Sequence, residues 1–474
     1  MKFRKFISVI LVAVMAMGVF TAGASASTLT EKKVDFVPRD VQGEKNYTIE
    51  NPYKDVQWGK WHAYKASLHS HTNASDAVPT IAESVEKHYE LGYDILAISD
   101  HAVIGVPWNE IPTTVPIYRL FKFGNTKMGN VDILTDERRA EILAGVGRTN
   151  ADGTPQPMLE VIGSAELNGA TPINDCHVNG FFMRPGEEYG QARMGVYGDY
   201  ETVVEKVGEA GGITFLDHVG EYVGSEYDIT RASEPYYANK FANVFLDNPS
   251  CVGMDVNSGV NNHTIYDYIL WDNILKLTIP HGRNVFAFTF SDGHKIDQYN
   301  RNYTYMLMPE LTNEALRTSM ETGAFFACSH YARADLGEEF NGEEFETPFV
   351  SVLDVNQKSD TISFNADNFN YVRWYSDGEI IAEGENLTYL DLNAYEDKLG
   401  CYVRFTLTGP GGILYSQAFP ITAEGEEIEK PLIVPTNDVP EFLRFLADTA
   451  NVLLGWTPIM ALIRYFLWGT YWWF

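Results

Sequence analysis

At 474 residues the chain has room for two or three domains, and 64 Asp and Glu against 35 Lys and Arg leave it a formal charge of −29. So acidic a surface repels nucleic acid and anionic membranes at long range, and no nucleic-acid partner is expected. Four cysteines without a short-spaced pair, Cys176, Cys251, Cys328 and Cys401, exclude a disulfide scaffold and a cysteine-rich zinc site.

Residues 1–26 read as a secretory signal peptide: Lys2, Arg4 and Lys5 form a basic start, an apolar run follows to Phe20, and Ala24-Ser25-Ala26 offers a small-residue cleavage site. The apolar run is short for a membrane anchor, so the protein is expected to be secreted or extracytoplasmic. Residues 27–60 are a lead segment. From 61 to 337 apolar runs alternate with helical patterns, as in a βα-repeat fold with a parallel sheet. The candidate strands are 63–68, 95–99, 159–165, 176–182, 212–216, 252–256 and 285–290. Helices are predicted at 80–91, where Ile81, Val85 and Tyr89 recur at helical spacing, and at 200–209 and 266–277.

Ionisable residues fall at the ends of these strands. His69 and His71 leave the first strand, and Asp76 follows in a small polar loop. His101 follows the second, Glu166 the third, His177 opens the fourth, His218 follows the fifth, and Asp292 and His294 follow the seventh. In a parallel barrel the strand ends converge on one face, and nine such groups brought together there repel or strand one another unless cations lie between them. The set has imidazoles and carboxylates without thiolates, which suits zinc, manganese or iron. His62, His88, His263, His281 and His330 lack such contexts and are read as structural or surface residues, and alternation turns Cys176 into the core.

The motifs LHSHTNASD, ISDHA, GSAE, CHVNG, LDHVG and FSDGH, spread over about residues 60–335, resemble those of the PHP (polymerase and histidinol phosphatase) superfamily of metal-dependent phosphoesterases. The resemblance implies an α/β fold, a distorted (β/α)7 barrel with two or three divalent ions at its mouth. It implies one ion held by His69, His71, Glu166 and Asp292, a second sharing Glu166 and adding His177 and His218, and a third held by Asp76, His101 and His294. Glu166, His101 and His218 are the candidate catalytic residues. The expected activity is hydrolysis of a small phosphorylated substrate, with a metal-bridging hydroxide as nucleophile. Substrate selection would fall to the loop 220–237, to Arg138 and Arg139 in the long segment 103–158, and to Arg283, Arg301 and Arg333. Two rival readings are an amidohydrolase-type hydrolase, which would want a strand-borne lysine in the site, and a non-catalytic metal-binding surface protein.

Past the acidic stretch 338–346 the pattern changes to short alternating strands, and 347–423 reads as a small all-β sandwich resembling bacterial immunoglobulin-like modules, with Trp374 as its core tryptophan. A linker at 424–439 leads to an apolar helical tail at 440–474 that ends Tyr471-Trp472-Trp473-Phe474 and is a candidate for membrane-surface contact.

Overall fold

The computed structural model describes residues 27–30, 45–112, 131–170, 175–184, 200–223, 228–258, 264–337 and 339–436, and isolated positions from 442 to 462. The first strands are β1 (Ser27–Thr28), β2 (Tyr47–Ile49), β3 (His62–Ser67), β4 (Ile95–Ala97), β5 (Leu159–Val161) and β6 (Ala165–Ala170). They are followed by β7 (Asp175–Phe181), β8 (Ile213–Leu216), β9 (Cys251–Ser258), β10 (Phe286–Phe290), β11 (Asn302–Met308) and β12 (Phe325–Ser329). The fold is mixed α/β. One sheet carries β12-β11-β3-β4-β5 and another β10-β9-β8-β7-β6. Just beyond the strand ends the two are stitched together by the bridges Ser70↔Gly293 and His101↔Glu166. These bridges close a ring of seven strands, β3, β4, β6, β7, β8, β9 and β10, at the end where the ionisable residues collect.

Side-chain alternation fills the ring. Ala66 and Leu68 from β3 and its end, Phe215 from β8, and Phe288 and Phe290 from β10 point inward and are fully buried. Phe215 stacks on Phe288 at 4.9 Å and on Phe290 at 4.7 Å, a dry floor beneath the polar mouth. Outside, the helix Ile81–Glu90 begins with a capping box between Thr80 and Glu83 and buries Ile81, Val85 and Tyr89, as their spacing predicts.

Two expectations need correction. The sheet is not wholly parallel, because β7 runs antiparallel to both β6 and β8. That reversal brings the beginning of β7, and with it His177, to the same mouth as the other strands' ends. The predicted strand 159–165 is two strands. β5 pairs with β4, the chain then turns at Gly163 with φ of +78°, and β6 joins the other sheet with Glu166 opposite Asn179. A Cβ on Gly163 would also run into the backbone carbonyl of Met183. Gly163→Ala is therefore expected to cost more than about 1 kcal/mol of stability, read as a lowered urea midpoint, and to disturb Glu166 three residues on. An unchanged midpoint would show that the turn tolerates a side chain.

The C-terminal region is all-β: β13 (Phe349–Asn356), β14 (Thr361–Asp367), β15 (Tyr371–Ser376), β16 (Glu379–Gly384), β17 (Tyr389–Asp391), β18 (Tyr402–Gly409), β19 (Gly412–Tyr415) and β20 (Phe419–Ala423). A three-stranded sheet β13-β14-β17 faces β16-β15-β18-β19, and Trp374 is buried between them against Phe364 and Phe405. Hydrogen bonding does not stop at the expected boundary: β19 pairs with β12, Cys328 opposite Leu414, so the second sheet continues that of β3. One apolar core likewise joins Val85, Phe326, Phe364, Trp374 and Phe405. The pairing is locked by a buried ion pair in which Arg404 of β18 donates to Asp272 of the helix Asp267–Thr278. None of the four cysteines is joined in a disulfide among the described residues, and Cys176 packs in the core.

The expected signal peptide at 1–26 and His263 lie outside the described residues, as do most of the tail and parts of the lead segment. At the isolated described tail positions Phe442, Phe445, Leu446 and Leu453 are helical and exposed, and Thr457 lies at a bend. Among the described residues no helix is long and apolar enough to cross a membrane.

Candidate metal centre

Glu166 is the hub. It is fully buried at the start of β6, and five imidazoles from four segments, His69 and His71 sharing one, face its carboxylate. Oε2 lies 3.3 Å from His69 Nε2, 3.0 Å from His71 Nε2 and 3.1 Å from His101 Nδ1. Oε1 lies 3.2 Å from His218 Nε2 and in close contact with His177 Nδ1. The two oxygens thus look toward two different sets of ring nitrogens, as a bridging carboxylate must.

On the Oε2 side His69 and His71 bring their Nε2 atoms to 3.0 Å, and Asp292 Oδ1 lies 3.4 Å from the first and 3.2 Å from the second. Ligands about 2.1 Å from a tetrahedral ion stand about 3.4 Å apart, so the spacing of His69, His71 and Asp292 fits a divalent cation. Farther out, Asp76 Oδ2 lies 3.4 Å from His101 Nε2 and 3.3 Å from His294 Nε2, with His71 Nδ1 at 3.7 Å from Oδ1. His71 and His101 each present one nitrogen toward Glu166 and the other toward Asp76. All nine residues singled out in the sequence therefore meet at one mouth. His177 and His218 both approach Oε1 but do not share one compact group: among the described residues His218 groups with His69 and Glu166, and His177 with His101 and Glu166.

The backbone is bent to make this meeting. His218 and Asp292 have φ of 24° and 48°, and Ala102, beside His101, has 56°; such conformations persist where surrounding structure holds them. Asp100 does part of that holding. It accepts hydrogen bonds from the Thr72 N–H at 2.7 Å and from the hydroxyls of Thr72 and Ser75 at 2.5 and 2.6 Å, and so folds the loop that presents Asp76.

Imidazoles and carboxylates shift one another strongly. Burial works against protonating His71, His294 and His218, yet Glu166, Asp292 and Asp76 outweigh it and hold them up at about 9, 9 and 10. Burial likewise works against ionising Glu166, Asp76 and Asp292, yet the facing histidines hold all three well below the usual carboxylate range. The histidine values lie above the unfolded value of about 6.5, so their stabilising contribution is complete below that pH and is lost as pH rises through 9 to 10. The chain stripped of metal is therefore expected to melt at lower temperature at pH 10 than at pH 7. Because cations compete with these protons, loading at pH 7 is expected to release them. Calorimetric titration in two buffers of different protonation heat measures the release, and a value near zero would contradict this electrostatic picture.

Other expectations fall away from the mouth. Arg138 is paired with Glu86 at 2.7 Å, Arg139 is bidentate to Glu160, and Arg283 donates to the carbonyls of Pro249 and Cys251, so these three hold structure together. Arg301 and Arg333 flank the Tyr331 ring at 4.7 and 5.2 Å. From the loop 220–237, Tyr222 reaches the centre, its ring 5.0 Å from that of His177. Of the histidines set aside, His88 and His330 bond to the backbone carbonyls of Ser84 and Gly411, and burial pushes them down to about 3 and 4. His281 faces the carbonyl of Pro431, and His62 is exposed. Sequence reading missed Asp217 and Asn179, both fully buried, with Asp217 Oδ1 3.4 Å from His69 Nδ1. Asn179 had a visible signal, since it shares a strand face with His177 two residues before it.

No family model matches the sequence, and no curated protein does. Among solved structures the chain is similar to a two-domain protein containing a predicted PHP-like metal-dependent phosphoesterase from Bacteroides vulgatus, with 13% identity and a TM-score of 0.38 over 80% of this chain and 99% of that one. It is also similar to an amidohydrolase from Chromobacterium violaceum, with 15% identity and a TM-score of 0.27 over 48% and 87% of the two chains. A lesion-specific endonuclease from Pyrococcus furiosus is matched at 12% identity with a TM-score of 0.30, over 55% and 56%.

Proposed function

We propose that this chain is a metal-dependent hydrolase of phosphate esters, with two or three divalent ions held by His69, His71, Asp76, His101, Glu166, His177, His218, Asp292 and His294. The observation that carries the reading is the buried Glu166 carboxylate with His69, His71 and His101 within 3.3 Å of one oxygen and His177 and His218 against the other. When bound, the ions supply Lewis-acid charge that activates water and offsets the charge of a phosphoryl group. The protein's part is to orient. Glu166, His101 and His218 are the residues on which catalysis would depend, because they set the charge at the centre. Asp76 and His294, with side chains 30% and 31% exposed, lie on the side open to substrate, while Phe290 and its stacked neighbours keep water out below. Export, the membrane contact of the tail and selection of substrate by Tyr222, Arg301 and Arg333 are parts of the same proposal.

One observation bears on the amidohydrolase alternative. Lys65, the lysine among the buried described residues, is engaged with Asn300 at 2.7 Å and with the rings of Tyr93 and Tyr303 at 4.4 and 4.3 Å, away from the carboxylates. The test is to strip the purified protein with a chelator, reload it with zinc, manganese or iron, and follow inorganic phosphate from aryl phosphate mono- and diesters, sugar phosphates and nucleotides beside a panel of cyclic amides. Activity on phosphate esters that disappears on stripping and returns on reloading supports the reading. Amide hydrolysis alone, or metal content near zero by mass spectrometry, overturns it.

A further inference from the structure

Among the described residues, Asp217 is a buried carboxylate that faces one of the nine ligand-type residues without being one of them. Asp217 follows β8 directly, is 0% exposed, and belongs to none of the groups that converge on a common point among the described residues. A carboxylate removed from water needs partners, and those it has are specific. Oδ1 accepts a hydrogen bond from Asn179 Nδ2 at 3.0 Å and lies at ion-pair distance, 3.4 Å, from His69 Nδ1. The Asp217 backbone N–H donates to the His177 carbonyl at 3.2 Å, which ties this residue to the reversed strand β7.

His69 uses its two nitrogens differently. Nε2 faces His71, Glu166 and Asp292, and Nδ1 faces Asp217. Only a ring with its proton on Nδ1 has a free electron pair on Nε2 for a cation, and a carboxylate beyond Nδ1 both selects that tautomer and makes Nε2 a stronger donor. The other imidazoles are backed differently: His218 Nδ1 faces Glu221, which is 41% exposed, and His294 Nδ1 faces the backbone carbonyl of Asp292. His69 has a wholly buried charge behind it, and that charge is itself fixed by Asn179, which sits opposite Glu166 in the β6–β7 register. We propose that Asp217 is a positioning residue that sets the tautomer and angle of His69, with Asn179 holding Asp217, so that a relay Asn179–Asp217–His69 runs from β7 across the end of β8 to the end of β3. The inference rests on the metal reading above and deepens it.

The test measures metal directly. The stripped full-length protein is titrated with zinc in competition with a chromophoric chelator, for wild type, Asp217→Asn and Asn179→Ala. Asp217→Asn, nearly equal in volume, is expected to remain folded by circular dichroism and to lose 10- to 100-fold in affinity for one ion of the set, and Asn179→Ala to lose less for the same ion. In the zinc-loaded wild type the His69 Nδ1 proton is expected as a protected imidazole resonance, assigned by its absence in His69→Gln, and it should shift or exchange faster in Asp217→Asn. If wild type binds zinc and both variants bind it equally well with the resonance unmoved, the positioning role is overturned and the metal reading stands. If wild type itself binds none of zinc, manganese or iron, the proposed function fails, and this inference with it. Should Asp217→Asn not fold, Asn179→Ala decides: unchanged affinity overturns the relay.

Discussion

Glu166→Ala is expected to give a folded chain that neither keeps its metal complement nor hydrolyses an aryl phosphate, with a loss of at least about 1,000-fold, or about 4 kcal/mol of transition-state stabilisation. The size follows from geometry. His69, His71 and His101 share one Glu166 oxygen at 3.0 to 3.3 Å, and His177 and His218 share the other, so its two oxygens face both sets at contact distance. Among the described residues Asp292 lies at ion-pair distance from His69, His71 and His294, and Asp76 from His71, His101 and His294. Glu166→Gln keeps the volume and removes the charge, so it separates a packing effect from an electrostatic one. Metal content by mass spectrometry and phosphate release are the measurements, and wild-type turnover in either variant would remove Glu166 from its bridging role.

Asp272→Ala is expected to destabilise the whole chain by about 3 to 5 kcal/mol, because it strands a buried charge. Arg404 is 0% exposed, lies between the Trp271 and Tyr375 rings at 5.2 and 4.0 Å, and places Nε and Nη2 on the two Asp272 oxygens at 2.7 and 2.5 Å. Tyr402 adds a third donor to Asp272 at 2.6 Å. Replacing both partners with apolar residues of similar volume, Asp272→Leu with Arg404→Met, should cost much less than Asp272→Ala alone, since no charge is then left unpaired. Urea unfolding of the single and double variants reads the difference. A loss below about 1 kcal/mol in Asp272→Ala would mean that Arg404 finds water or another partner. Since Asp272 belongs to the α/β part and Arg404 to the all-β part, the same experiment tests whether the two unfold together, as the β12–β19 pairing requires.

The residues that meet at the mouth were legible in the sequence for a physical reason. A strand end is a place where alternation aims side chains, and an ionisable residue there among apolar ones has no cheap explanation. His69-x-His71 and Asp292-x-His294 each put two such residues within one short segment, which local patterning detects. The arginines were less legible, because a guanidinium at a rim and one neutralised by a helix, as Arg138 is by Glu86, have the same local sequence context.

What the sequence determined by itself was therefore local: which segments extend, which helix faces turn inward, and which nine ionisable side chains stand at strand ends. The tertiary structure alone decided their partners. The reversal of β7, which brings His177 to the mouth from the start of a strand, depends on pairing with β6 and β8, and strand periodicity is the same in either direction. The break at Gly163 depends on contact with Met183, twenty residues away in the chain. Asp217 lies one residue past β8, where alternation no longer says which way a side chain points, so its place behind His69 is set only when three strands close into a ring. The continuation of the sheet from β12 to β19 was hidden likewise, because an edge that pairs with a distant strand has the same pattern as one that faces solvent.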